Sequence, residues 1–165
     1  ILRCLVGSEM CIRDRDSIDV KILGCLKENA RQNASAIGEY VNMSVSAVIE
    51  RIKKLENSGV IQQYTLLLDT KKIGKDISAF ISVSLEHPKF NEGFIENVKQ
   101  NPQVTECHYI TGDFDFLLKV ITGSTQELEA VLNEIKCIHG VSLTKTLVVL
   151  STMKNEHSVL PDLSK

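Results

Sequence analysis

"NMSVSAVIERIKKLENSGVI" (Asn42–Ile61) decides how the first third of the chain is read. It starts near a serine, ends near a glycine, and repeats apolar residues at helical spacing between them. Successive residues of a helix turn by about 100°. Val48, Ile52 and Leu55 therefore share a narrow wedge and must face inward. The opposite side carries Ser46, Glu50, Lys53, Lys54 and Asn57, and Arg51 lies beside the buried seam. Ser44 is placed to cap the first turn, although no Glu or Gln stands three residues on to complete a capping box. Gly59, after Ser58, is a C-terminal stop.

Upstream, "NMS" reads as a tight turn, because Asn42 tolerates the left-handed conformation that a short helix–helix turn requires. "ASAIGEYV" is a shorter helix with Ile37 and Val41 on one side. "DSIDVKILGCLKENARQN" sets Ile18, Ile22, Leu23, Leu26 and Ala30 along one helical stripe, with Asp16 or Ser17 to cap it. Three short helices with a tight turn before the last are the makings of a helix-turn-helix. A capped helix N-terminus offers free N–H groups to phosphate, and small side chains there let the helix approach base edges. A polar outer face is more often only solvated, and Glu50 would repel phosphate. Its carboxylate can instead accept from a cytosine amino group.

Downstream the pattern changes. "VIQQYTLLLD" (Val60–Asp69) is strand-like and "TKKIGKD" is a loop. "ISAFISVSLE" (Ile77–Glu86) reads as a strand with partial alternation. "KFNEGFIENVKQN" holds Phe90, Phe94, Ile95 and Val98 at helical spacing. "VTECHYIT" and "FDFLLKVIT" are strands joined by the tight hairpin "GDFD" (Gly112–Asp115). "TQELEAVLNEIKCI" is an amphipathic helix with Leu128, Val131, Leu132 and Ile135 inward, and "GVSLTKTLVVLST" is a last strand. From Ile77 the order is βαββαβ, the ferredoxin-like arrangement. Two helices cover one sheet face, and a second copy of the chain is the economical cover for the other.

Bulk properties set limits on these readings. The 165 residues suffice for one ordinary domain or two small ones, and 43% hydrophobic with 24% charged residues affords a packed core. Net charge is −2, so any nucleic-acid contact must come from local placement of charge. No apolar run approaches the roughly 18 residues of a membrane span. The five cysteines, Cys4, Cys11, Cys25, Cys107 and Cys137, are odd in number and lack C-x-x-C spacing. They predict free, mostly buried thiols in a reducing cytoplasm. "ILRCLVGSEMCIRDR" (Ile1–Arg15) has no clean period, and its "CLVGSEMCIRDR" resembles a translated sequencing adapter. It is set aside from fold reasoning as a non-native or disordered leader.

Enzymatic signatures are absent: there is no G-x-G-x-x-G, P-loop, H-E-x-x-H or G-x-S-x-G. No catalytic residue, metal ligand or cofactor is predicted. His87, His108 and His139 lack metal-ligand spacing and read as packed or surface residues. Asp113 and Asp115 bring no nucleophile with them. Backbone N–H groups at their hairpin can nevertheless hold a carboxylate, while either aspartate could receive an amino group. Asp and Gly also serve there simply to make the turn.

These segments, taken in order, resemble the Lrp/AsnC (feast/famine) transcriptional regulators. The matching residues are "DSIDVKIL", "NAR", "SVSAVIERIKKLENSGVI", "LLLDTKKIG", "VTECHYITGDFDFLLKV" and "GVSLTKTLVVL", which span roughly Asp16 to Pro161. The resemblance implies an α+β chain with a winged-helix-like DNA-binding domain at 16–61 and a linking strand and loop at 62–76. A ferredoxin-like effector-binding and oligomerisation domain then follows at 77–153, with a tail at 154–165. It implies double-stranded DNA as partner, a small-molecule effector such as an amino acid, and a homodimer that assembles to a tetramer or octamer. Ser44, Ser46, Glu50, Arg51, Lys53 and Lys54 would then lie near DNA, with Ser44 capping and Arg51 bracing the fold or reaching phosphate. Thr111, Gly112, Asp113 and Asp115 would contribute to the effector pocket. Gly38 stands where the family usually has alanine, Asn42 where glycine is common, and Glu50 where many members are basic. The first two departures are expected to be tolerable. A DNA-independent sensing module, or a decarboxylase-like enzyme on the same C-terminal fold, is the alternative. The enzyme would need His and Arg, and no Arg follows Arg51.

Overall fold

The computed structural model describes residues 17–161, so the expectations for the leader and for Asp16 lie outside the described residues. The first compact unit takes in residues up to Leu66 together with a C-terminal segment from Asn155. Its helices are α1 (Ser17–Glu28), α2 (Ala34–Val41) and α3 (Val45–Asn57). Ile22, Ile37, Val41 and Val48 are buried at their junction, with Ile18, Cys25, Leu26 and Ile52 packed around them.

Local chemistry sets the limits of these helices. Asn33 accepts from the Ala36 N–H at the start of α2, and Ser44 accepts from the Ala47 N–H at the start of α3. Asn42 takes φ 56°, ψ 50°, the left-handed conformation expected of the turn. Gly59, at φ +72°, carries the chain out of α3. Gly38 has a stronger reason to be glycine than the family comparison implied. A Cβ built there would meet the Met43 carbonyl oxygen at 2.7 Å, so the turn closes on α2 more tightly than alanine permits.

Val60–Asp69 does not form the strand expected from its β-formers. A strand exists only as one of a hydrogen-bonded pair, and among the described residues no strand pairs with this segment. Tyr64, Leu66, Leu67 and Leu68 are exposed. Tyr64 still anchors the segment's start by donating to Glu56 Oε1 at 2.9 Å. Burial and this bond push the tyrosine pKa up to about 12. The C-terminal segment returns to α1, where Glu156 pairs with Lys27 at 2.9 Å.

The second unit is Leu67–Lys154. It contains β1 (Ile77–Leu85), α4 (Asn91–Gln100), β2 (Val104–Tyr109), β3 (Phe116–Thr122), α5 (Thr125–Cys137) and β4 (Val141–Val148). The sheet order is β2-β3-β1-β4 with every pair antiparallel, which is the expected ferredoxin-like topology. Ala79, Ile81 and Val83 of β1 and Phe116, Leu118 and Val120 of β3 meet Phe94, Val98, Leu128, Val131 and Ile135 of the two helices. The other face carries Phe80, Leu117 and Ile121, half-buried, with Leu143 and Leu147 at 57% and 53% exposure.

The cysteines depart from expectation. Cys25 is half-buried, and Cys107 and Cys137 are exposed, so none of these three is a core residue. Cys107 sits on edge strand β2 and Cys137 is the last residue of α5, positions where coverage runs out. All three are free thiols.

Candidate nucleic-acid interface and effector hairpin

The surface of α3 divides by burial. Val48 and Leu55 are at 0% and 4% exposure, and Ile52 is partly covered. Ser44, Ser46, Glu50, Lys53 and Lys54 are all exposed. Five of the six residues expected near DNA thus lie on accessible surface. Ser44 Oγ is busy as the cap and also lies 3.2 Å from Ser46 Oγ.

Arg51 is placed differently. Its Nη1 donates to Asp19 Oδ1 at 2.8 Å, across 32 residues of sequence. Asp19 is 8% exposed, so Arg51 turns toward α1 and ties α3 to it. This is the bracing role, one of the two weighed for Arg51. Two exposed residues escaped the sequence reading: Val45 at 45% and Ile49 at 42%. They lie on the accessible side, one turn apart, with Lys53 a further turn on. Polarity alone picks out the charged and hydroxyl residues of that side and assigns neither of these two.

The hairpin residues separate just as clearly. Thr111, Gly112 and Asp113 are exposed, and Gly112 has φ +126°, a conformation that favours glycine. The Ile110 N–H donates to the Asp115 carbonyl at 2.8 Å, which closes the turn. Ser84 Oγ donates to the Asp113 carbonyl at 3.3 Å. Asp115 is bound inward: its N–H donates to the Val83 carbonyl at 3.0 Å. Its Oδ2 accepts from the Leu85 N–H at 2.7 Å, beside the bulge between Ser84 and Leu85. One carboxylate oxygen therefore serves the sheet, and Asp113 is the aspartate that faces solvent.

The histidines take local partners. His87 Nδ1 accepts from the Lys89 N–H at 3.1 Å. His139 stacks edge-on against Phe90. His108 lies 3.2 Å from Glu106, which also receives Lys119 Nζ at 2.8 Å. The Lys119 bond, opposed by burial and helped by His108, holds the Glu106 carboxyl below the usual carboxylate range. Among the described residues no group of three or more His, Cys, Asp or Glu is placed to hold a metal ion. Nor is any helix among them long and apolar enough to cross a membrane. A cleft of about 490 Å³ opens between α4 and α5, lined by Asn97, Val98, Asn101, Gln103, Glu134 and Ile135, and shares no residue with the hairpin.

This arrangement is matched by known proteins in both units. Residues 15–62 match the family model described as winged helix-turn-helix DNA-binding. Residues 78–159 match the model described as the Lrp/AsnC ligand binding domain. The chain is 35% identical over 146 residues to the HTH-type transcriptional regulator FL11 of Pyrococcus horikoshii, covering 88% of this chain and 95% of the relative. The chain belongs to the Lrp/AsnC family. It is also 36% identical over 144 residues to a proline dehydrogenase transcriptional activator of Rhizobium radiobacter, covering 86% and 92% of the two chains. The crystal structure of a Neisseria meningitidis transcriptional regulator with L-Met superposes with a TM-score of 0.84 at 32% identity, covering 88% and 96%. As an Lrp/AsnC regulator, the chain joins a DNA-binding helix-turn-helix to a ligand-binding domain. Its α3 is the last helix of that DNA-binding module.

Proposed function

We propose that this Lrp/AsnC protein binds operator DNA through the outward face of α3, as a homodimer, and answers to an amino acid or a related small metabolite. The observation that carries the reading is the capped α3, with Ser46, Glu50, Lys53 and Lys54 exposed while Arg51 is committed to Asp19. In the proposal Ser44 and the first N–H groups of α3 lie against phosphate, Lys53 and Lys54 supply positive charge, and Ser46 and Glu50 face base edges. Arg51 acts indirectly, by fixing the pitch of α3 on α1.

The open sheet face supports a dimer. Phe80, Leu117, Ile121, Leu143 and Leu147 form an apolar surface that a second copy would cover, and the exposed 60–69 segment would gain a strand partner in the same assembly. A dimer sets two α3 helices about one DNA turn apart, or a multiple of it. Further assembly to a tetramer or octamer would raise avidity despite the net charge of −2.

For the effector we favour the Thr111–Asp113 turn. Its exposed backbone can bind a carboxylate, and Asp113 can receive an ammonium group. Asp115 shapes the turn and has one oxygen left for a ligand. The L-Met complex of the Neisseria relative supports an amino acid as the ligand class. A ligand at a subunit junction shifts assembly only if it binds one arrangement more tightly than another. We assign the protein no catalytic role, and place it in the cytoplasm, with the DNA it regulates.

The test is a mobility shift on the DNA just upstream of the protein's own coding region, with unrelated DNA as control. Wild type should shift the upstream DNA selectively, and Lys53→Ala/Lys54→Ala should weaken the shift at every salt concentration. The amino acids are then added one at a time to the complex, with subunit number followed by light scattering. Failure to bind any duplex at moderate salt would overturn the DNA reading and leave the sensing domain as the functional part.

A further inference from the structure

We propose that Ile49, with Val45 one turn before it, reads thymine in the operator by packing against the base's 5-methyl group. The inference rests on the DNA-binding reading and goes beyond it by naming the base recognised. Val45 and Ile49 are 45% and 42% exposed on a helix whose own core contacts are made by Val48 and Leu55. Both are β-branched and lose side-chain freedom in a helix, so neither is there for helix propensity. Single exposed apolar residues are ordinary on any surface. These two are a pair at i and i+4, beside Ser46 and in line with Lys53, within the matched DNA-binding module.

The chemistry of the major groove selects the occupant. Guanine, adenine and cytosine present polar acceptors and donors there, and an apolar side chain pressed against them leaves those groups unpaired. Thymine alone adds a methyl group. Ser46, the nearest polar candidate, lies 3.2 Å from the capping hydroxyl of Ser44 and keeps capacity for a base edge, so the apolar pair adds a methyl contact beside it at the start of α3.

The full-length protein is used to select from a randomised duplex library, alongside Ile49→Ala and Ile49→Val. Wild type should enrich duplexes with fixed T·A pairs. Those duplexes are resynthesised with deoxyuridine replacing the fixed thymidines, which removes only the methyl groups. Wild type should bind about fourfold more weakly for each contacted methyl lost. Ile49→Ala should lose most of the difference between the two duplexes, keeping only the part that Val45 carries, and Ile49→Val should fall between it and wild type. Because the main change is made in the DNA, a misfolded variant cannot imitate the wild-type result. Equal wild-type affinity for both duplexes overturns the inference, as does an Ile49→Ala protein that keeps the full thymine preference. A change of subunit number in Ile49→Ala with DNA selection unaltered also overturns it, by making this surface a contact between copies. If wild type retains no duplex at all, the DNA-binding reading itself falls; retention without enrichment, or enrichment without methyl sensitivity, removes only the thymine assignment.

Discussion

Among the described residues four, Ile22, Ile37, Val41 and Val48, make the buried cluster of the helix-turn-helix, whereas eleven make that of the sandwich. The smaller unit compensates with directed polar contacts: two side-chain caps, a left-handed asparagine and the Asp19–Arg51 pair. The sandwich has polar ties of its own, among them the Ser124 cap of α5 and the Glu106–Lys119 pair, but sets them beside a larger apolar volume between two helices and one face of its sheet. Small units have a large surface for their volume and must draw more of their stability from such contacts. Stability in the DNA-binding unit should therefore respond to polar and backbone changes, and stability in the sandwich to lost volume.

The largest effect expected from this contrast is in the sandwich. Phe94 is fully buried, with its ring centroid 4.8 Å from that of Phe116. Phe94→Ala should cost about 3–5 kcal/mol in denaturant unfolding of the second unit, through lost transfer energy and the cavity left behind. Asp19→Ala comes next. It removes the acceptor 2.8 Å from Arg51 in a pair mostly shielded from water, and should cost the helix-turn-helix about 2 kcal/mol. Selective DNA binding should fall with it even though Asp19 faces away from the helix's outer side. A normal melt with lost binding would mean that Arg51 works at the DNA instead. A third change sets propensity against space. Alanine is the better helix former by about 1 kcal/mol, yet a Cβ at Gly38 meets backbone at 2.7 Å. Gly38→Ala should thus be destabilising by about 1 kcal/mol net, because a turn backbone cannot yield as a flexible side chain can. A stabilised variant would show that the turn has slack.

The same contrast explains what could be read from the residues alone. Asn42, Ser44 and Gly59 act within a few positions of themselves, so their turn and cap roles were legible. The βαββαβ order was legible because each element carries its own period. Asp19–Arg51 was not, since a contact across 32 residues leaves no local pattern. The tie from Asp115 to Leu85 hides for the same reason, behind an aspartate that looks like any turn residue. Ile49 carries no signal of its own, because its exposure depends on which wedge of α3 the first two helices cover. Residues 60–69 have β-forming side chains, but pairing is a property of two segments, and local preference names only one.

The smallest expected effect tests the open sheet face. Glu106 is bonded to Lys119 at 2.8 Å and lies 3.2 Å from His108. Its carboxyl is held below the ordinary range, so the folded state binds its proton less readily than the unfolded chain does. The resulting stabilisation is complete above the usual carboxylate range and is lost as pH falls through the lowered folded value. Melting curves of wild type and Glu106→Gln should therefore differ most near neutral pH and converge in acid. Both partners touch solvent, so the difference at low protein concentration should be slight and should shrink with added salt. A second copy over this face would exclude water from the Glu106–Lys119 pair and lower the local dielectric. The gap between the two proteins should then widen as concentration rises into the range where subunits associate. A gap that ignores concentration would separate this pair from the subunit contact and confine association to the apolar stripe of Leu143 and Leu147.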